Sequence, residues 1–507
     1  MSIVAGWLLR NKEAYLTNAS TARDFRSQLR GNRPLLLWGT YLFILIGFGT
    51  LFYAVTSSEG TMSVASLQRE LQGFYNTIMN MLGLMVVVVA PALTATTIVS
   101  ERQKRSLDLI FSAPVSTKYY LVGKMISSYR YTWMLLVLSL PVTSVCVVLG
   151  GATWTDVLTG YANLSFIGII LTSIALALST VAIKPVSAIV WSYFATFFVV
   201  MFTWTMASFL SFASMRSGRE LPFLVSLSPF NQLNAAGAYT QIGWVQIPNF
   251  VLAGLTALLV SRIMLLGASS VLSPFGALDT KSLRVHGLVY MFVVAVGVGS
   301  ALGSGSTHIL YTWITFPLIA IVPIITCFGW DLEKKFWPDG WFSIRAAIVG
   351  TPAGGLPYLL GLLAGAFLGS NLGVGLATMD VFPDLHLQLC YLTWALGLWA
   401  FIWAIGRGCS SLYNGVKTAR TLQAVFFLVF LTVPSAAVSM IVAFTSQPGL
   451  VDPTPLWYLM PLYPLGLPLA EGAPGALAWG LLMLLAALYI GRKAEHRARN
   501  PKPRGRK

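Results

Sequence analysis

Residues 100–116 read SERQKRSLDLIFSAPVS and stand directly after the apolar run MLGLMVVVVAPALTATTIV. Glu101, Arg102, Lys104, Arg105 and Asp108 gather here in a chain otherwise poor in charge, and the cluster breaks at Pro114. Leu107, Ile110, Phe111 and Pro114 follow at i, i+3, i+4 and i+7, one face of a short helix, with Lys104, Arg105 and Asp108 mostly off that face. Pro114 ends the helix and pushes the preceding residue towards extended geometry. Such an element suits docking to another protein, its apolar stripe in a groove and its charges fixing register. It equally suits lying on lipid, with Lys and Arg reaching up to headgroups.

Other residues that could do chemistry are few. No GxxxxGK[ST] run occurs, so no loop of this kind can cradle nucleotide phosphates. The nearest stretch, YNGVKTAR at 413–420, lacks the second glycine and the spacing. Of the four histidines only His386 stands near carboxylates, in MDVFPDLH with Asp380 and Asp384, which reads as a polar loop rather than an acid–base or metal site. Cys146, Cys327, Cys390 and Cys409 are scattered, with no CxxC or Cys/His cluster. The chain is therefore read as no enzyme, with no metal site and no cofactor of its own.

The elements that must position the 100–116 stretch are membrane spans. The 507 residues are 56% hydrophobic and only 10% charged, against about 25% charged in soluble domains. Apolar runs of about 20 residues recur along the whole length, continuous rather than alternating, so they are helices crossing a bilayer. The expected class is an all-α polytopic membrane protein with about 12 transmembrane helices in two six-helix halves. The spans fall at 35–55, 77–98, 128–150, 160–183, 187–210 and 247–268, then at 287–304, 309–328, 355–375, 386–406, 421–445 and 473–491. No cleaved signal peptide is expected. An even number of spans puts both termini on one side. With that side cytoplasmic, only Arg69, Arg216 and Arg219 of the 33 basic residues lie outside. The net charge of +16 is then an orientation signal and an attraction to anionic lipid, not a nucleic-acid footprint.

No charge lies near the centre of a span, Arg262 coming closest, which argues against a proton-coupled transporter. Uncharged polar residues remain: Asn76 and Asn80 by the second span, and Ser192, Thr196 and Thr203 in the fifth. They suit either a substrate pathway or interhelical hydrogen bonding.

The run E-R-Q-K-R-S-L-D-L-I-F-S-A-P-V-S, followed by L-V-G-K, resembles the cytoplasmic loop after the second span of type-2 ABC exporter permeases. Glu101, Arg102, Ser106, Leu107, Leu109, Pro114, Val115, Ser116, Gly123 and Lys124 match that pattern. TARDFRSQLRGNRPLLLWGTYLFIL is similar to the family's basic connecting helix, with a capping-box-like start at Thr21 and Asp24. Ser-Pro-Phe at 228–230 resembles its outer segment before the sixth span. The likeness covers 20–270 well and the rest mainly by layout. The loop DLEKKFWPDGWFSIRAAIVGTPAGG lacks the Glu-Arg and Leu-x-Leu order of the first half.

The resemblance implies a connecting segment at 1–34, a first six-helix half at 35–270 with a docking loop at 99–127, a divergent second half at 271–491 with a loop at 329–354, and a basic tail at 492–507. It also implies a permease of the inner or plasma membrane of a bacterial cell, moving a substrate outward. ATP and Mg would be held by a separate ATPase, expected as a dimer. The residues implied to meet that ATPase are Glu101, Arg102, Arg105, Ser106, Leu107, Leu109, Ile110, Phe111 and Pro114, with Asp331 and Glu333 in the second half. In the family the second and fifth helices line the route, which makes Asn76, Asn80, Ser192, Thr196 and Thr203 its candidates. The alternatives are a non-transporting membrane subunit of an ABC-like signalling or assembly complex, and an ion-coupled secondary transporter.

Overall fold

The computed structural model describes residues 33–56, 64–107, 117–148, 150–217, 223–230, 237–242, 245–272, 280–302, 355–378, 385–412 and 469–499. Helix dominates: α1 (Arg33–Thr56), α2 (Val64–Thr94), α3 (Thr97–Gln103), α4 (Thr117–Leu138), α5 (Leu140–Val148), α6 (Trp154–Val181), α7 (Pro185–Ser217) and α8 (Asn249–Leu272) come first. Then follow α9 (Thr280–Leu302), α10 (Gly355–Thr378), α11 (Leu385–Leu412) and α12 (Leu469–Arg499). The strands among the described residues are a single hairpin, β1 (Tyr239–Ile242) with β2 (Val245–Pro248). Among the described residues, six helical stretches are long and apolar enough to cross a bilayer, with shorter apolar ones at Trp38–Leu51, Pro185–Met201 and Pro357–Gly373. The chain is an all-α polytopic membrane protein. The expected spans at 309–328 and 421–445, and the N-terminal segment with Thr21 and Asp24, lie outside the described residues. Every other expected span falls on a described helix.

Where helices begin and break, the cause is local. α6 starts with a capping box: Thr153 Oγ1 accepts from the Asp156 N–H at 3.2 Å, and Asp156 accepts from the Thr153 N–H at 2.9 Å. α7 opens on Pro185, whose missing N–H costs nothing at a first helical position. The expected third span is two helices, because Pro141 cannot donate to the preceding turn and its ring crowds the carbonyl four residues back. The chain breaks at Ser139, and Tyr161 of α6 covers the break, its hydroxyl 2.7 Å from Ser139 Oγ and 3.1 Å from Thr143 Oγ1. α2 begins well before residue 77, since LQRELQ is made of good helix formers. Pro91 lies near its other end; the helix stops at Thr94 and restarts as α3 only after a two-residue turn at Ala95–Thr96.

Two compact units result, meeting in sequence between Leu278 and Asp279. In the first, α6 is the most extensively buried of the long spans. Its Val157, Leu164, Ile167 and Leu171 pack with Tyr75, Met79, Leu82 and Val86 of α2. A second apolar cluster, Ile98, Leu107, Tyr120, Leu121, Leu176 and Leu265, closes the end of this bundle that carries α3. The second unit is built from close helix pairs. α11 presents Trp394, Trp399 and Trp403, all buried with Met483 and Ala487 of α12. Gly397 and Gly480 let these two backbones touch: a Cβ at Gly480 would stand 2.6 Å from the Thr393 carbonyl oxygen. Backbone against backbone leaves no side chain free to give way. Gly480→Val is therefore expected to cost about 1–3 kcal/mol of stability. Lower thermal stability of the purified protein with a shift in tryptophan emission checks this; an unchanged melting profile contradicts it.

Candidate docking site

α3 spans seven residues after a two-residue turn from α2, and its neighbours complete its ends. Its N-cap residue, Thr96, makes no side-chain cap hydrogen bond. Ser179 of α6 supplies the cap instead: its Oγ accepts from the Ile98 N–H at 3.2 Å and the Val99 N–H at 3.4 Å. The reverse exchange occurs at the end of α6, where the last carbonyls have no intrahelical donor. There Arg102 Nη2 donates to the Thr180 carbonyl at 2.7 Å and Nη1 to the Ala182 carbonyl at 3.0 Å. A cation at a helix C-terminus also meets the negative end of the helix dipole. Each helix thus completes the other's end.

Glu101 turns to α4. Its Oε1 pairs with Lys124 Nζ at 2.5 Å, and Oε2 accepts from the Tyr120 hydroxyl. The Lys124 side chain is 5% exposed and that of Glu101 12%, so the pair is largely removed from water. Lys124 Nζ also stands 5.7 Å from the centre of the Tyr120 ring. Beyond α3 the chain turns sharply. Arg105 adopts φ 55°, the left-handed conformation usual after a helix end and normally left to glycine. Its N–H donates to the Arg102 carbonyl at 3.1 Å, and Ser106 Oγ donates to the Glu101 carbonyl at 3.1 Å. Leu107 then drops into the apolar cluster at this end of the bundle.

Of the residues that the sequence marked for docking, Glu101, Arg102, Ser106 and Leu107 are thereby brought together as the root of a loop. Their polar groups face into the protein. Gln103, Lys104 and Arg105 are exposed at the same corner. Leu109, Ile110, Phe111 and Pro114, and Asp331 and Glu333, lie outside the described residues. Tyr120, Ser179 and the carbonyls of Thr180 and Ala182 were not singled out by the sequence; Tyr120 meets Glu101 across 19 positions, and nothing local marks the α6 partners, which lie about 80 positions away.

The polar residues of the spans form a separate set. Ser192 and Thr196 of α7 are fully buried, and neither hydroxyl has a hydrogen-bond partner among the described residues. Asn80 has its Oδ1 buried in the same condition, Asn76 is half-buried, and Thr203 Oγ1 donates to the Val200 carbonyl at 3.1 Å. The sequence reading passed over Asn163 in α6. It is 1% exposed, and both its amide atoms lack a partner among the described residues. An asparagine inside an otherwise apolar span was the signal that could have found it.

Removing one member of a buried ion pair strands the other charge. Glu101→Gln or Lys124→Met alone is expected to destabilise by about 3–5 kcal/mol, whereas Glu101→Leu combined with Lys124→Met should recover most of that loss. Thermal unfolding of the four proteins decides it; a double variant worse than either single change would contradict this reading of the pair.

Residues 19–273 match the family described as ABC-2 family transporter protein. No curated protein and no solved structure matches the chain. The matched stretch is half of the 507 residues and takes in the whole Glu101–Lys124 corner together with α1 to α8. The chain belongs to the ABC-2 family of transporter proteins, as a multi-pass membrane permease component.

Proposed function

We propose that the chain is the permease of an ATP-driven exporter in the inner or plasma membrane of a bacterial cell, and that its 99–127 loop is where the ATPase docks. Membership of the family implies association with an ABC ATPase subunit. The observation that carries the reading is the anchored root of the loop. Glu101, Arg102 and Leu107 are held by α4, α6 and the apolar cluster beneath them, while Gln103, Lys104 and Arg105 face solvent. A loop gripped at its root and free at its cations can receive a force and pass it on. The exposed cations suit an acidic patch on the partner, and Ile110 and Phe111 supply the apolar contact.

With the cytoplasm on the Glu101 side, as the sorting of basic residues demands, ATP binding would close the ATPase dimer and press on this loop. The bundle would then shift between inward-open and outward-open packings. The substrate would pass Asn76, Asn80, Ser192, Thr196 and Thr203, uncharged groups that offer hydrogen bonds without holding an ion. The second-half loop at 329–354, with Asp331 and Glu333, would meet the other ATPase protomer through a different surface. One chain would then serve one ATPase dimer.

Co-purification of the chain with its ATPase subunits tests this. The native chain should retain them, with two ATPase protomers per chain. Phe111→Asp should release them without loss of the folded permease. Arg105→Gly removes a cation while suiting the left-handed backbone, so it should weaken docking but preserve stability. A native chain that retains no ATPase would contradict the proposal.

A further inference from the structure

We infer that Arg102 is the residue that delivers the ATPase stroke to the corner between α6 and α7, so that the docking loop moves these helices directly and not only through the chain's own path into α2. The inference rests on the proposed docking of an ATPase at this loop. It concerns which part of the bundle answers.

α3 is the piece of chain nearest the loop, and its attachments are unequal. Towards α2 it is joined by a weakened turn. Pro91 removes one donor from the ladder, α2 ends at Thr94, and two turn residues intervene before Thr97. The ladder is thinned there rather than cut, since the Ala95 N–H still donates to the Pro91 carbonyl at 2.8 Å and the Ser100 N–H to the Thr96 carbonyl at 3.0 Å. A helix that lacks a donor at Pro is softer at that point. Towards α6 the attachment is made at both ends of α3. Ser179 holds its first amides, and the planar fork of Arg102 holds the Thr180 and Ala182 carbonyls. Towards α4 it is held through side chains alone, Glu101 on Lys124 and Tyr120.

The acceptors decide the route. Glu101 and Lys124 are both side chains and both can rotate, whereas at the other contact the carbonyls move with their helix and the two-point hold on the planar Arg102 fork limits how far that side chain can turn. Thr180 belongs to the last turn of α6, and Ala182 is the first residue of the three that separate α6 from Pro185 of α7. A pull on Arg102 thus falls on the corner itself. Beyond that corner α7 carries Ser192 and Thr196, and α6 carries Asn163, three of the buried polar groups of this unit that have no partner among the described residues. A displacement starting at Ala182 would re-aim both. α6 then spreads the displacement by direct contact. A Cβ at Gly160 or Gly168 would meet Met79 of α2 or Tyr129 of α4, and Phe166 fills the space over Gly254 of α8.

Arg102 is on this reading a positioning residue, so the readout must be motion rather than stability. Spin labels are placed at Lys118 of α4 and Lys184 of the corner, both exposed. The permease is reconstituted in lipid with the ATPase that co-purifies with it, and the inter-label distance is measured without nucleotide and after trapping with Mg-ATP and vanadate. The native complex should show a nucleotide-dependent shift. In Arg102→Gln the ATPase should stay bound and keep hydrolysing ATP while most of the shift is lost. Arg102→Lys, which keeps the charge but not the fork, should restore part of it. Ser179→Ala frees the other end of α3 and should blunt the same shift, an independent route should Arg102→Gln fail to fold. A full native shift in Arg102→Gln or Ser179→Ala with the ATPase bound overturns the coupling role alone. A native chain that binds no ATPase instead removes the docking proposal beneath it.

Discussion

Helix ends are the expensive places in a membrane protein. The first four N–H groups and last four carbonyls of every helix lack partners inside it, and lipid offers none. At the Glu101 corner this cost is met by exchange: Ser179 of α6 caps α3, and Arg102 of α3 caps α6. The arrangement steadies α3, seven residues that follow a turn at the end of α2. It also holds Leu107 over its apolar cluster and sets where the charged loop leaves the bundle. The left-handed turn at Arg105 and the inward Glu101–Lys124 pair both depend on α3 being held in place.

This constraint changes what the charges of SERQKRSLDLIFSAPVS are for. Read along the sequence, Glu101 and Arg102 look like a surface offered to a partner. In the fold they are spent on the protein itself, and the cations left outward are Lys104 and Arg105. A loop whose root is fixed by ion pairing and capping, and whose cations Lys104 and Arg105 face solvent, is suited to carry force. Lysine and glutamate are costly to bury unless each answers the other, and at this corner Lys124 and Glu101 do.

Much of the architecture was legible in the sequence because the bilayer leaves few options. Apolar runs of spanning length became helices, and Pro141 and Pro185 mark a break and a start for reasons the residue itself dictates. The capping box at Thr153 and Asp156 follows the T-x-x-D spacing noticed at Thr21 and Asp24, and could have been read in the same way. The site was legible only in part. Glu101, Arg102 and Leu107 stood out by type and spacing, and Lys124 through the family resemblance. Ser179 and the carbonyls of Thr180 and Ala182 did not, since a serine and two backbone oxygens acquire meaning only when folding brings them to α3. In the second unit the close approach at Gly397 and Gly480 was equally hidden, because a glycine in an apolar span does not announce which backbone will touch it.

α3 and the end of α6 complete each other as one junction, and a double-mutant cycle tests this without any partner or substrate. Thermal unfolding would be compared for the native chain, Arg102→Gln, Ser179→Ala and the double variant in lipid nanodiscs. If the two caps hold one junction, either change alone loosens α3 from α6, so the second should cost less than it does by itself, with a coupling of about 0.5–3 kcal/mol. Costs that simply add, within about 0.5 kcal/mol, would mean that the two contacts are independent and that no such junction exists.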